Sequence, residues 1–363
     1  MIIKYVSNYR DGTGWAKAST FNMLALSHAG FTIVPEIVKY NKADYVLHPE
    51  ILELEKNIDN KEEFDTVINH ILPINYKYST TDKKNYGFLE LESNSLENMF
   101  WLKNIKLMDN MFVPNKASQD CLNKYNIKSK IFPHSFDFNA VNLSPKTLEV
   151  NNIKKSFNFL FVGEFSKCKN LEALIVAFHK EFETFENVNL VIKTSSENVK
   201  DLAKEVKKRI KVRSQYKEEI IITQRLSDND LYSVMRQCHA NVMPSYGEAW
   251  AYPILEGMSL GLIPIYTKGI GVSDYADSSF ALEVNSKEVM CYGATDTFED
   301  LYTGNDSWNE IDIPDLQLKM RMAYNIFQDN PRQYVDMRNA AINKSLEYDY
   351  KNISKQLTNL FGE

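Results

Sequence analysis

Glu248 and Glu256 stand eight positions apart in the stretch PSYGEAWAYPILEGM, separated by apolar residues with one proline, Pro253. HANVMPS, just upstream, reads as a strand, and Pro253 suits the first position of a new helix, where a missing N–H costs nothing. Ala249, Trp250, Ala251 and Tyr252 then form the strand-to-helix loop. Its backbone N–H groups, backed by the positive end of the helix, suit phosphate or sugar oxygens. Glu256, one turn into the helix, can offer both carboxylate oxygens to a vicinal diol such as a ribose. Glu248, at the strand end, would face the loop's other occupant. A ligand with a ribose at one end and a hydroxyl-rich group at the other, a nucleotide sugar, fits this spacing. The plainer alternative is two solvated carboxylates favoured by the helix dipole.

Other residues carry weaker chemical signals. His70, in INHILP, ends a strand and could act as an acceptor-side base or sugar contact, or serve as a satisfied structural histidine; His48 and His134 are weaker choices. Asp228 and Asp230 form a D-x-D pair after Ser227, which reads as an N-cap followed by acidic residues placed for the dipole rather than as a metal site. Residues 200–217 carry eight basic side chains. Lys204, Lys207, Lys208 and Lys211 share one helical face. That run is either a solvated face or a patch for a polyanionic acceptor, at a membrane surface or on nucleic acid. Trp15 and Trp101 read as core or wall residues.

The elements that must hold these residues alternate in type. IIKYVSN, FTIVPEIV, ADYVLH, FDTVINHIL and DNMFVPN read as strands of a first half. AKASTFNMLALSHAG (with Gly30 as its C-cap), LENMFWLKNI and KASQDCLNKYNI read as its helices. A second series starts near residue 157, with strands SFNFLFVGEF, VNLVIKT, EEIIITQRL and HANVMPS. Its helices are LEALIVAFHKEFETF, KDLAKEVKKRIKVRSQYK and SDNDLYSVMRQC. The polar segment 139–156 is the best linker, and from Asp312 onward the pattern is mostly helical. Alternation of this kind predicts an α/β chain with two Rossmann-like, doubly wound domains. Ligands in such sheets bind at the carboxyl ends of the strands, and two such edges facing each other make a cleft.

Composition narrows the class. The chain has 363 residues, 44% hydrophobic and 25% charged, as expected of a soluble protein with two cores. Its net charge of −6 offers no global basic field for nucleic acid or anionic lipid. The cysteines at 121, 168, 238 and 291 form no CxxC pair and read as reduced thiols. The N-terminus does not read as a secretory leader, and no apolar run reaches membrane-spanning length, so the expected location is cytoplasmic.

GEAWAYPILEGM resembles the E-x7-E signature of retaining GT-B glycosyltransferases, particularly family 4. FVGEFSKCKNLEALIVAF is similar to that family's glycine–basic–lysine segment, LYSVMRQCHANVMPS to the element before the signature, and VPNKASQDCLNKYNI with FPHSFD to the end of its first domain. The resemblance implies a GT-B fold with an acceptor-side domain over 1–150 and a donor domain over 151–340. It also implies a C-terminal helix, 341–363, returning to the first domain. The implied reaction moves a sugar from a nucleoside diphosphate, UDP or GDP, to a hydroxyl with retention and without a metal or cofactor. In that scheme Lys169 neutralises the diphosphate, Glu256 holds the ribose hydroxyls, and Glu248 contacts the donor sugar near the reacting carbon. The amides of Ala249, Trp250, Ala251 and Tyr252 bind sugar and phosphate oxygens. Arg225 and Leu226 border the base, and Gly12 and Gly14 let the first domain's backbone approach. The catalytic set is then Glu248, Lys169 and His70, with His70 and Glu92 on the acceptor side.

Three positions depart from the family pattern. Glu164 stands where an arginine is usual, which leaves the phosphate clamp to Lys169 with Lys167. Ala249 and Ala251 replace glycines that flank the aromatic, and His239 replaces an aspartate. Rival readings are transfer to hydroxymethylated bases in DNA, nucleotide-sugar epimerisation, and a degenerate sugar-nucleotide binding protein. No obligate protein partner is evident.

Overall fold

The structure is a computed structural model and describes residues 1–40, 45–58, 63–151, 153, 156–294 and 302–361. The chain divides into two units, one of Met1–Asp137 with Glu347–Glu363 and the other of Phe138–Leu346. The division falls at 137/138 and 346/347, where the sequence suggested 150/151 and 340/341.

In the first unit the strands are β1 (Ile2–Ser7), β2 (Thr32–Ile37), β3 (Thr66–His70), β4 (Lys84–Phe88), β5 (Asn110–Val113) and β6 (Ser129–Ile131). They form one sheet in the order β2-β1-β3-β4-β5-β6, parallel throughout. Its helices are α1 (Gly14–His28), α2 (Pro49–Glu55), α3 (Met99–Ile105) and α4 (Lys116–Lys124). Thr13 starts α1 by accepting the Ala16 N–H at 3.1 Å, one of the donors a helix cannot satisfy internally. Gly30, expected as the C-cap, lies one position past the actual cap, Ala29, with φ of +92°. Met23, Leu24, Tyr5, Ile68, Phe88 and Phe112 lie in the core. A short C-terminal helix, Tyr350–Ser354, adds Tyr350 and Ile353 to it.

Two expectations fail in this unit. ADYVLH is not a strand: residues 43 and 44 lie outside the described residues, and Tyr45 to His48 take no regular structure. Val46, which suggested a strand, is 90% exposed, while His48 accepts the Glu50 N–H and opens α2. Strand β4, which its sequence KNYGF gave little reason to expect, lies between β3 and β5.

The second unit carries α5 (Phe138–Asn142), β7 (Phe157–Val162), α6 (Leu171–Glu181), β8 (Val188–Lys193), α7 (Asn198–Ile210), β9 (Ile220–Ile222) and α8 (Asp228–Met235). It continues with β10 (Ala240–Met243), α9 (Tyr252–Ser259), β11 (Ile263–Thr267), β12 (Leu282–Val284), β13 (Ser286–Met290), β14 (Ser307–Ile311), α10 (Ile313–Asp329) and α11 (Pro331–Leu346). The parallel sheet runs β12-β11-β10-β7-β8-β9. The chain therefore winds outward from β7 in one direction and from β10 in the other. The boundary between β7 and β10 is the switch point at which such sheets open a crevice beyond their carboxyl ends. Strands β10 and β11 are buried along their whole length, as expected of parallel strands covered on both faces. Helix α7 stops at Ile210 instead of reaching 217, because Lys211 turns left-handed with φ of +48°. The antiparallel ribbon β13–β14 was not foreseen.

Candidate functional site

Lys169 follows β7 and Glu248 follows β10, so the two loops at the switch point bring them together. The Lys169 ammonium lies 2.9 Å from Glu248 Oε1, with side chains 16% and 7% exposed. Ser245 Oγ donates to the same carboxylate oxygen at 2.8 Å, and the Glu248 carbonyl accepts the Gly271 N–H at 2.8 Å. Both the head and the backbone of Glu248 are therefore fixed. A charge-assisted contact of this kind holds a lysine in place until a stronger anion competes for it.

The loops are braced from beneath. Tyr246 N–H donates to the Cys168 carbonyl at 2.8 Å, and the Tyr246 ring stacks on Trp308 of β14 with centroids 4.5 Å apart. Cys168, Tyr246, Cys291 and Trp308 form a small core of their own. The unforeseen ribbon thus carries the aromatic that anchors both loops. Tyr275 OH donates to the carbonyls of Trp250 and Ala251 at 2.6 and 3.2 Å, fixing the loop that the sequence assigned to oxygen binding.

That loop enters α9 through Ala251, which has φ of +66° and no side chain able to cap. Tyr252 is the first helical residue and Pro253 the second, one position later than expected. Ala249, Trp250, Ala251 and Tyr252 are all buried. Glu256 is buried too, and accepts a hydrogen bond from Tyr232 OH of α8 at 3.1 Å. Burial to 2% exposure excludes the solvated-surface reading of Glu256.

The remaining donor-side residues are more dispersed. Lys167 and Glu164 are exposed, and Lys167 sits over the Tyr246 ring, 5.4 Å from its centre. The ammonium beside Glu248 is that of Lys169. Lys167 instead lines a concavity of about 650 Å³ with Tyr246, Lys287 and Asp312. Arg225 is exposed and Leu226 half-buried in the loop after β9. Lys193, which the sequence reading passed over, ends β8 as a half-buried ammonium whose pKa is lowered by burial. Asp230 receives the Thr147 and Ser227 hydroxyls at 2.6 and 2.7 Å, which serves the start of α8. Members of the basic run are paired with carboxylates: Lys207 with Glu218 and Glu219 at 3.0 and 3.1 Å, Arg209 with Glu172 at 2.8 Å and Arg213 with Glu183 at 2.7 Å.

In the first unit, Gly12 takes φ of +65°, and a Cβ added there would stand 3.0 Å from the Tyr45 ring, so both backbone and space call for glycine. Gly14 is the first residue of α1 and has open space beside it. His70 is fully buried and lies 2.7 Å through Nε2 from Glu90 Oε1. His134 Nε2 approaches the same oxygen at 3.3 Å. The acidic partner of His70 is therefore Glu90, whereas Glu92 is half-buried two residues further on. Burial lowers the pKa of His70 and pushes that of His134 down to about 3. Glu90 escaped the sequence reading because its strand did, and His134 was ranked below His70 because an isolated histidine after a short strand carries no spacing signal.

Comparison with known proteins agrees with this fold. The chain has the GT-B fold. It aligns with sucrose-phosphate synthase from Thermosynechococcus elongatus at 12% identity and a TM-score of 0.64, over 99% of this chain and 98% of that one. An E. coli structure described as trehalose-6-phosphate bound with UDP-2-fluoro glucose aligns at 10% identity and a TM-score of 0.68, over 98% of each chain. Anabaena HepE in complex with UDP aligns at 13% identity and a TM-score of 0.64, over 99% of each. Residues 145–286 match the family described as glycosyl transferases group 1, and this segment contains Lys169, Glu248 and Glu256. No curated protein matches the chain.

Proposed function

We propose that the protein transfers a sugar from a nucleoside diphosphate sugar to a hydroxyl acceptor, with retention at the anomeric carbon. The observation that carries this reading is the meeting of Lys169 and Glu248 at the β7/β10 switch point, beside a buried Glu256 and the start of α9. An incoming diphosphate would take Lys169 from Glu248, leaving the ammonium on the leaving group and the carboxylate directed at the sugar. Glu256 would hold the ribose hydroxyls. Charge stabilisation and positioning supply the rate, and no protein nucleophile is needed if the departing phosphate oxygen takes the acceptor's proton. The UDP and UDP-sugar complexes of the neighbours favour UDP as the nucleotide. The acceptor is a glycan, lipid or other hydroxyl compound. The pairing of the basic run with carboxylates disfavours a DNA acceptor.

The test is a panel of UDP- and GDP-sugars, read by thermal shift and by release of nucleoside diphosphate. A cognate ligand at one hundred times its Kd should stabilise the protein by about 2.7 kcal/mol. Lys169→Ala should lower kcat by about 10²–10³-fold, and Glu256→Ala should abolish both the shift and the turnover. Wild-type turnover by Glu256→Ala, or no shift with any nucleotide, would sink the proposal.

A further inference from the structure

We propose that His70, Glu90 and His134 form a site for one divalent transition-metal ion of the zinc or cobalt kind within the first unit. The three side chains come from the carboxyl ends of separate strands: His70 ends β3, Glu90 follows β4 and His134 follows β6. Their ligand atoms all lie within 4.8 Å of one another. His70 Nε2 and His134 Nε2 stand 2.7 and 3.3 Å from Glu90 Oε1. Tetrahedral zinc with bonds of about 2.0–2.1 Å separates its ligand atoms by about 3.3 Å. Only a small withdrawal of the carboxylate is needed to admit an ion.

The outer nitrogen of each ring is already engaged. His70 Nδ1 meets Tyr5 OH at 2.7 Å and Ser19 Oγ at 3.2 Å, and His134 Nδ1 meets Asn22 Oδ1 at 3.2 Å. The amide oxygen of Asn22 only accepts, so it draws the His134 proton to Nδ1; the two hydroxyls can do the same for His70. With the protons on Nδ1 both Nε2 lone pairs are available to an ion beside the Glu90 carboxylate; without one, the other His70 tautomer donates from Nε2 to Glu90 Oε1. Oxygen partners on the far ring nitrogen are what orient metal-binding histidines elsewhere. Ring rotation is restrained as well, since both imidazoles stack on Phe88 with centroids 4.3 and 5.2 Å away. Glu90 is the partly exposed member, 16% by side chain, so a water or ligand oxygen could complete the shell from its side. The chemistry matches the two-histidine, one-carboxylate set that suits zinc with an open position. This site stands independently of the donor chemistry in the second unit.

The full-length protein, stripped with a chelator and dialysed, should take up one equivalent of Zn²⁺ by calorimetry. With Co²⁺ it should develop visible absorption bands of a four- or five-coordinate ion. Glu90→Gln and His134→Gln should each weaken binding at least 100-fold, whereas His28→Gln, at an exposed histidine, should leave it unchanged. Nitrogen-15 spectra of the wild-type histidines cover the case in which a variant fails to fold: with Zn²⁺ both rings should be protonated at Nδ1 and shifted at Nε2. Absence of stoichiometric uptake at micromolar metal, uptake retained in both variants, or an Nε2 proton persisting on either ring at saturation would overturn the assignment in favour of a hydrogen-bonded cluster.

Discussion

His239 lies against Phe157 with ring centres 5.0 Å apart, and its Nδ1 accepts the Asn158 N–H at 3.1 Å. Burial, helped by the nearby Arg338 guanidinium, pushes its pKa down to about 4. An unfolded histidine titrates near 6.5. Between those values the unfolded chain takes up a proton that the folded one refuses, so stability falls as pH drops through this window. From pH 7 to pH 5 this group alone should cost about 2 kcal/mol. Urea midpoints at the two pH values should differ less in His239→Gln than in the wild type; equal differences would refute the linkage. At this scale the sequence pointed to Glu248 and Glu256 by their spacing and to Lys169 by resemblance, and the structure pairs Lys169 with Glu248 and buries Glu256. It did not reveal Ser245, Tyr232 or Tyr275, the hydroxyls that fix them, because a hydroxyl's partner is decided by the packing of distant elements.

At the scale of elements, α9 begins at a left-handed alanine. That conformation costs a residue with a Cβ about 1–2 kcal/mol, while glycine loses more chain freedom on folding. Ala251→Gly should therefore stabilise the protein by a net amount on the order of 0.5–1 kcal/mol, measured as a rise in the denaturant midpoint with an unchanged slope. A fall would show that the buried methyl contributes more than the backbone loses. Legibility also varied by element. Strands such as Phe157–Val162 announced themselves as apolar runs buried on both faces. Strand β4 did not: its packing depends on Gly87, where an added Cβ would stand 2.6 Å from the Tyr76 ring, and no local pattern reports that. The β13–β14 ribbon pairs Ser286–Met290 with Ser307–Ile311 across a long separation, beyond the reach of any short window.

At the scale of the whole molecule, each unit is a parallel sheet with helices, but only the second is continuous in sequence. The first recruits Glu347–Glu363. Tyr350, Ile353, Leu357 and Leu360 are buried in its core, Tyr350 OH donates to Glu50 at 2.7 Å, and Lys130 donates to the Leu360 carbonyl at 2.9 Å. Burial of an apolar side chain contributes about 1.5–3 kcal/mol. Removing residues 347–363 should therefore cost the first unit more than about 5 kcal/mol. Calorimetry should show its transition lost or moved far down while that of Phe138–Leu346 persists. An unchanged pair of transitions would contradict this assignment of the core.

The interrupted path of the first unit also orders events at the ribosome. Units generally fold as they emerge during synthesis. The strands made first must wait for Tyr350 and its neighbours, while the stretch from Phe138 to Leu346 is one uninterrupted unit. The unit whose strands are made first thus depends on residues made after all of the second unit, and its core closes only once Tyr350 to Leu360 have joined it.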